Sequence, residues 1–252
     1  MTFAGYAFRP KLLPSLACLL VLPLLIHLGL WQYDKAERKR TMQALLETRS
    51  SEPPVQMAAT PVDAEIESLR FRRVVLRGEY EPERQILIDN RVYKERAGYH
   101  VITPFKLADS AGRGMRVLIN RGWIPSPDDH RGIPAVSTPV GQIELSGLAV
   151  VPGDKFFTLG AKAAPADVKA EWQPVWQNLD LKRYRASVSY PVQPLVVLLG
   201  NDALADPACG FAREWPRPNE NFAQNLSYAY QWFGFAATLV VIYLVVNLKK
   251  GA

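Results

Sequence analysis

The stretch LLPSLACLLVLPLLIHLGLWQY, Leu12 to Tyr33, contains no formally charged side chain over its 22 residues. At a rise of about 1.5 Å per residue, a helix of this length reaches across a hydrocarbon core about 30 Å thick. A cleavable signal peptide would have a shorter apolar stretch that ends in small residues of the A-x-A type, whereas this one ends in LWQY. The stretch therefore predicts an uncleaved transmembrane helix over residues 12–33.

A second charge-free run extends over residues 221–248 and is followed by Lys249 and Lys250. Its most apolar part, residues 228–246, again has the length of a membrane helix. Aromatic rings of the kind that settle at headgroup level close the first run and open the second, namely Trp31, Tyr33, Tyr228, Tyr230 and Trp232. Residues 1–11 and 249–252 are then predicted on one side of the membrane, and residues 34–220 on the other.

The number of Lys and Arg residues does not by itself indicate which side of the membrane holds the middle domain. As many basic residues follow the first run closely as lie at the two ends of the chain. Lys249 and Lys250 abut the second run, however, and no basic residue lies between Glu220 and Tyr228. This asymmetry favours cytoplasmic termini and an extracytoplasmic middle domain.

The middle domain contains six short runs that alternate or are rich in β-forming residues: RRVVLRGEY (72–80), RQILIDNRVY (84–93), GYHVITPFKL (98–107), MRVLINRGWIP (115–125), GQIELSGLAVV (141–151) and YPVQPLVVLL (190–199). Turn clusters rich in Gly, Pro and Asp separate them. They predict a mainly antiparallel β domain, either a small barrel or a sandwich. Helices are predicted over residues 41–49, continuing the first span, and over residues 180–187, where Asn178 or Asp180 would be the cap. The fold class is an α+β membrane protein whose two transmembrane helices flank this β domain.

Composition excludes several classes of function. A hydrophobic content of 48% excludes general disorder, and the net charge of +6 comes mainly from the ends of the chain, so no nucleic-acid surface is predicted. Cys18 and Cys209 form no CxxC motif and have no His nearby, which argues against a disulfide framework or a zinc site. The chain also lacks a nucleophile elbow, a phosphate-binding loop and an H-E-x-x-H motif, and we expect that it is not an enzyme.

Five motifs occur in the order found in the Surfeit locus protein 1 family: LGLWQYDKAERK (28–39), LIDNRVYKERAGYHVITPF (87–105), VLINRGWIP (117–125), WQNLDLKRY (176–184) and YAYQWFGFA (228–236). The resemblance covers nearly the whole chain. It implies a bacterial inner-membrane protein with cytoplasmic termini that assists the delivery or insertion of haem a into the catalytic subunit of haem-copper cytochrome c oxidase. The partners implied are that catalytic subunit, haem a synthase and membrane lipids. The alternative left open is a membrane-anchored structural or sensing module with no cofactor, and a membrane-bound enzyme is a third class.

One position departs from the family pattern. Family members usually have a histidine three residues before the Tyr of the Y-A-x-x-W-F motif, and it is regarded as the haem ligand. Here that residue is Asn225, and an amide is a poor iron ligand compared with imidazole.

His27, the one histidine in either span, is the substitute candidate for the iron ligand. Trp31 shares its helix face, while Asn225, Tyr228 and Trp232 share a face of the second span. One hypothesis is that a haem macrocycle lies between these two faces. The interpretation that we prefer is that a neutral His27 donates a hydrogen bond to a neighbouring helix, or to Tyr228 or Asn225, and holds the helices together.

The remaining polar candidates in the middle domain are interpreted as structural. His100 is predicted to have a structural role in a strand, and Asp128 to His130 to form a solvated turn. Asp89 to Arg91, and Asn120 with Arg121, are predicted to mark hairpin turns or strand ends with local hydrogen bonds, or else a docking surface. The aromatic residues Trp123, Trp172, Trp176 and Trp215 are expected in the core or at an interface rim.

Overall fold

The structure is a computed structural model that describes residues 2–3, 6–64, 66–109, 112–127, 132–152, 172–201, 206, 210–215 and 222–250. The predictions for Cys209 and for Asp128 to His130 lie outside these residues. The chain divides into two compact units, the helical unit (residues 1–45 and 217–252) and the barrel unit (residues 46–216).

The described residues form the α-helices α1 (Leu12–Ser51), α2 (Ile66–Leu69), α3 (Leu181–Ala186) and α4 (Phe222–Asn247). Helix α1 runs without a break through residues 41–49, as predicted. The predicted cap of α3 is also confirmed, because the Asp180 side chain accepts a hydrogen bond from the backbone N–H of Arg183. Helices α1 and α4 are long and apolar enough to cross a membrane by length and composition, so the two predicted apolar helices flank the β-rich region.

The strands in the described residues are β1 (Thr2–Phe3), β2 (Tyr6–Phe8), β3 (Val55–Gln56), β4 (Arg73–Tyr80), β5 (Ile86–Tyr93), β6 (Arg96–Leu107), β7 (Arg116–Pro125), β8 (Ile143–Val150), β9 (Val175–Trp176), β10 (Val192–Leu199) and β11 (Leu248–Lys250). All six strand-like runs of the sequence become strands. They do so because alternating apolar residues can bury one face, and in β4 every second residue is buried.

The barrel unit contains a closed ring of five strands in the order β4, β8, β10, β7, β6. The ring closes because the end of β6 returns to β4, with Tyr80 opposite Phe105 and Gly78 opposite Leu107. Pairing around the ring is antiparallel except between β10 and β7, which are parallel. The sequence left open whether the β domain is a barrel or a sandwich, and the structure shows a barrel. The first half of β6 pairs instead with β5, which extends the sheet towards β9.

Two clusters of buried side chains form most of the core of the barrel unit. The first fills the ring and includes Leu76, Phe105, Val117 and Leu195, which are fully buried. The second lies between β5, α3 and β10; its buried members are Ile86, Ile88, Ile102, Leu118, Trp176, Tyr184, Val192 and Val196. The expectation that tryptophans lie in the core is confirmed for Trp123 and Trp176, which are 7% and 4% exposed.

Two polar segments, Asp89 to Arg91 and Asn120 with Arg121, do not lie at the turns or strand ends where the sequence predicted them. Asn90 lies inside β5 with a positive φ of 56°, where the pairing with β6 shifts register, so this segment is a β-bulge. The hairpin turn comes later, at Lys94 and Glu95. Asn120 and Arg121 lie in the middle of β7 and are buried. The predicted local hydrogen bonds exist, from Asn90 N to Asp89 Oδ1 (2.7 Å) and from Gly122 N to Asn120 Oδ1 (3.3 Å), but they form within strands.

Candidate functional site

Helices α1 and α4 run antiparallel within the helical unit, as two polar contacts show. The hydroxyls of Ser15 and Tyr243 are 2.9 Å apart, and Asn225 Nδ2 donates to Gln32 Oε1 at 2.8 Å. At the ends of the chain β2 pairs with β11, and the backbone N–H of Lys11 donates to Asn247 Oδ1 at 2.7 Å. The segments at the two ends of the chain therefore lie side by side.

The α1–α4 seam, the line along which the two helices face each other, follows a spacing of three and four residues. On α1 the buried and half-buried positions include Ser15, Cys18, Leu22, Leu25, Gly29, Gln32 and Ala36, and on α4 they include Asn225, Ala229, Trp232, Phe233, Ala236, Leu239 and Tyr243. This spacing is that of helices packed side by side with a small crossing angle. Small residues in the seam let the two helix backbones approach each other closely.

Phe233 of α4 fills the seam opposite Gly29. A Cβ atom added to Gly29 would lie 2.5 Å from the Phe233 ring. Glycine is therefore required here for close packing rather than for an unusual backbone angle. No space remains at this level for a flat macrocycle between the helices.

The structure does not bring the five predicted haem-site residues together. Asn225 is buried in the seam, and Trp232 is half-buried. Trp31 and Tyr228 are 49% and 41% exposed, and His27 is exposed. Because seam positions lie two residues before and two after His27, its side chain points to the opposite side of α1.

The alternative hydrogen bond from His27 to Tyr228 or Asn225 is not observed either. Asn225 bonds Gln32 instead, and Tyr228 accepts a bond from Gln224 (3.3 Å). Within the part of the chain that the structure describes, His27 has no hydrogen-bond partner. Sequence reasoning missed Gln32. One feature of the sequence could have identified Gln32: it is a polar residue within an apolar run, three positions after Gly29 and therefore on the same face of the helix.

A second polar site, the Arg–Asp cluster, lies inside the barrel unit and consists of Tyr80, Arg121, Asp206 and Arg213. Arg121 makes two bonds to Asp206, from Nε to Oδ2 and from Nη2 to Oδ1, both 2.9 Å. Arg213 Nη2 is 3.4 Å from Asp206 Oδ2, and the Tyr80 hydroxyl donates to the same oxygen at 2.9 Å. The side chains of Arg121 and Asp206 are 1% and 0% exposed. Burial, and then the charge of Asp206, raise the pKa of Tyr80, so its hydroxyl remains protonated as a donor.

The Arg–Asp cluster connects segments that are distant in sequence. Arg121 also donates to Thr138 Oγ1 (3.2 Å) and to the carbonyl of Ser137 (2.9 Å). Arg213 donates to the carbonyls of Arg121 (2.8 Å) and Gly200 (3.1 Å). Buried charges are tolerated when they are paired and hydrogen-bonded in this way, so the cluster joins β7 to two loops. A cavity of about 450 Å³ adjoins it, lined largely by apolar side chains including Ile124, Pro134, Val136 and Phe211.

His100 has the structural role that the sequence predicts. Its ring lies 5.5 Å from the ring of Trp215 in an edge-on arrangement. Burial, and secondarily the charge of Arg91, lower the pKa of His100 to about 4, so the imidazole is neutral at pH 7. Among the residues described, no group of three or more His, Cys, Asp or Glu side chains is placed to hold a metal ion.

The fold belongs to the class of proteins in which two apolar helices flank a closed β-barrel along the chain. Here the barrel has five strands, and the two helices pack antiparallel. The SURF1 family model matches residues 19–237 of the chain, which include the barrel unit and most of both helices. The chain therefore belongs to the SURF1 family, as the five motifs indicated.

Some relatives match most of the chain, and others match about half of it. A SURF1-like protein of Rickettsia felis is 24% identical over 92% of this chain and 95% of the relative. Surfeit locus protein 1 of Mus musculus is 27% identical over 48% of this chain and 42% of its own length. Cytochrome oxidase assembly protein SHY1 of Saccharomyces cerevisiae is 28% identical over 45% of this chain and 29% of its own length.

Proposed function

We propose that this chain is an assembly factor for haem-copper cytochrome c oxidase and assists the delivery or insertion of haem a into the catalytic subunit. The observation that carries the proposal is membership of the SURF1 family over residues 19–237. It is supported by a relative whose name describes cytochrome oxidase assembly. The role is one of holding partners in place rather than catalysing a bond change. The partners proposed are the catalytic subunit, haem a synthase and membrane lipids.

The proposed location is the inner membrane of a bacterium. Helices α1 and α4 would cross the bilayer, with the barrel unit in the extracytoplasmic space and residues 1–11 and 249–252 in the cytoplasm. The antiparallel packing of the two helices and the pairing of β2 with β11 support this arrangement, since both place the two ends of the chain on the same side. Trp31, with the Lys35 ammonium 5.2 Å from its ring, suits a position at the headgroups.

In this role haem a is cargo that passes through the protein rather than a resident cofactor. Asn225 is unsuited to ligate iron, because an amide is a poor iron ligand compared with imidazole. Its side chain lies in a packed seam, where the amide nitrogen donates to Gln32. Ligation by His27 stays a prediction, and it would have to occur on the side of α1 that faces away from α4. Its test is the Soret absorbance of the full-length protein purified from haem-a-producing cells, with His27→Ala as the variant. An unchanged spectrum would remove the ligand role.

Deletion of the gene tests the proposed function. Oxidase activity and haem a content of the membranes should fall, while succinate dehydrogenase activity stays normal. Restoration by the full-length chain controls for effects on neighbouring genes. Normal oxidase content and a normal haem a spectrum in the deletion strain would refute the proposal and favour a structural or sensing module.

A further inference from the structure

The cavity of about 450 Å³ beside the Arg–Asp cluster, which we name the β7 cavity, lies within the barrel unit. It is bounded by the end of β7, by the loop that follows β7 and by the segment around Phe211. Its volume is in the range of about 300 to 1,000 Å³ that is typical of small-molecule sites in proteins. The proposed function uses no residue of this cavity.

The core behind the β7 cavity holds its apolar wall in place. Ile124, Val136 and Phe211 pack against a third cluster of buried side chains. Reciprocal backbone hydrogen bonds of 2.8 Å between Trp123 and Ala212 attach the segment of Phe211 to β7. The cavity is therefore formed by the folded barrel unit itself.

Two hydrogen-bond donors on the wall of the β7 cavity have no acceptor among the described residues. Arg121, which is 1% exposed, has five N–H groups, and four of them donate to Asp206, Ser137 and Thr138. The fifth is on Nη1, the nitrogen that donates to Thr138 Oγ1. The second donor is the hydroxyl hydrogen of Thr138. Because a buried donor without an acceptor is destabilising, an acceptor that enters the cavity is favoured.

Water alone is a poor occupant of the β7 cavity. A buried water molecule needs about two to four polar partners, and apolar side chains form most of this wall. Three of the lining residues, Pro125, Pro134 and Pro139, have no backbone N–H to offer. Water molecules away from the two donors are therefore weakly held, and their displacement by an apolar group is favourable.

The ion pair beside the β7 cavity favours a neutral acceptor over an anion. The Asp206 carboxylate makes two hydrogen bonds to the Arg121 guanidinium and so balances its charge. An entering carboxylate would bring a second negative charge close to Asp206 and would lose its hydration in an apolar cavity. A ketone or ester oxygen accepts the same hydrogen bonds at a lower cost of desolvation.

We infer that the β7 cavity binds a neutral, apolar molecule that carries a carbonyl group. The carbonyl accepts hydrogen bonds from Arg121 Nη1 and the Thr138 hydroxyl, and the apolar body contacts Ile124, Val136 and Phe211. This binding site is independent of the proposed assembly function, because it rests on the barrel unit alone.

Photo-labelling with benzophenone, which is itself a neutral apolar ketone, tests the site. The full-length protein in detergent micelles is irradiated at increasing benzophenone concentrations, and labelled peptides are identified by mass spectrometry. We expect saturable labelling of peptides that contain Ile124, Val136 or Phe211, and competition by fluorenone. Fluorene has the same rings without the carbonyl and should compete about tenfold less well, because it leaves both donors without an acceptor. The anionic analogue fluorene-9-carboxylate should also compete less well than fluorenone.

Substitutions of Thr138 separate the hydrogen bond from the shape of the cavity. Thr138→Val removes the hydroxyl and should raise the benzophenone concentration at half-maximal labelling about fivefold. Thr138→Ser keeps the hydroxyl and should leave this concentration nearly unchanged. Thr60→Val, in a separate cavity of the barrel unit, is the matched control and should have no effect. The comparison of fluorenone with fluorene needs no substitution, so it applies even if a variant is unstable.

Four results would overturn the inference. The first is labelling that does not saturate or that is spread over α1 and α4. The second is equal competition by fluorenone and fluorene, and the third is stronger competition by fluorene-9-carboxylate than by fluorenone. The fourth is the same half-maximal concentration in the folded Thr138→Val variant as in the unsubstituted protein.

Discussion

The side-chain amide of Asn225 donates a hydrogen bond to the side-chain oxygen of Gln32 across the α1–α4 seam, with 2.8 Å between the two atoms. The two residues are 193 positions apart in sequence. Asn225, one of the five predicted haem-site residues, therefore links the two helices in this chain.

Removal of either partner should weaken the helix pair. Asn225→Leu leaves the Gln32 amide without its donor, and an interhelical hydrogen bond in lipid contributes about 0.6 to 2 kcal/mol. We expect Asn225→Leu and Gln32→Leu each to lower the free energy of unfolding in detergent micelles, and the double variant to lose less than the sum. A strictly additive double variant would contradict direct coupling between the two side chains.

Gly29→Leu should destabilise the seam, because even a Cβ at position 29 would lie 2.5 Å from the Phe233 ring. Overpacking of this kind costs about 1 to 3 kcal/mol. Gly234→Leu is the matched control, since a Cβ there meets no atom within 4 Å. The measurement is the free energy of unfolding in detergent micelles, which should fall for Gly29→Leu and change little for Gly234→Leu. Equal losses in the two glycine variants would show that the close contact is unimportant.

Asp206→Asn should destabilise the barrel unit strongly. The substitution leaves Arg121 and Arg213 buried with no carboxylate, and the loss of one partner of a buried ion pair costs about 3 to 5 kcal/mol. Chemical unfolding of the full-length protein, followed by tryptophan fluorescence, measures the change. Glu144→Gln breaks the exposed pair with Arg77 and should cost less than about 1 kcal/mol. A small effect of Asp206→Asn would show that the Arg–Asp cluster does not hold its loops in place.

The stability of the barrel unit should fall as the pH drops from about 6.5 to 4. His100 has an ordinary pKa of 6.5 and a folded pKa of about 4, so the unfolded chain binds more protons in this interval. Unfolding is therefore favoured as the pH falls, and the effect of this group has an upper limit of about 3 kcal/mol. His100→Phe should flatten the dependence of the free energy of unfolding on pH between 6.5 and 4. Identical slopes in the two proteins would show that the imidazole does not contribute.

Local patterns were sufficient to predict α1, α3, α4 and the six main strands, but not the short elements α2, β1, β2, β3, β9 and β11. The absence of charge over residues 12–33 predicts an apolar helix, and alternation predicts β4 to β8 and β10, because burial of one face of a helix or strand imposes a period on neighbouring residues. The polar segments of β5 and β7 could not be placed in the same way. Asn90 and Arg121 are polar residues that, by local sequence, are typical of turns. Asn90 instead lies in a β-bulge of β5, and Arg121 is held within β7 by a buried ion pair with Asp206.

The order of the residues is enough to define the two apolar helices, the six main strands and the motifs that mark the SURF1 family. Three features became visible only in the folded chain: β6 closes onto β4 as a barrel, Arg121 meets Asp206 across 85 residues, and Gln32 rather than His27 faces Asn225. The physical reason is that helices and strands follow from periodic burial along the chain. Contacts between distant segments depend instead on the shapes and hydrogen-bonding groups that packing brings together. The periodic pattern of apolar residues along the sequence does not predict these contacts.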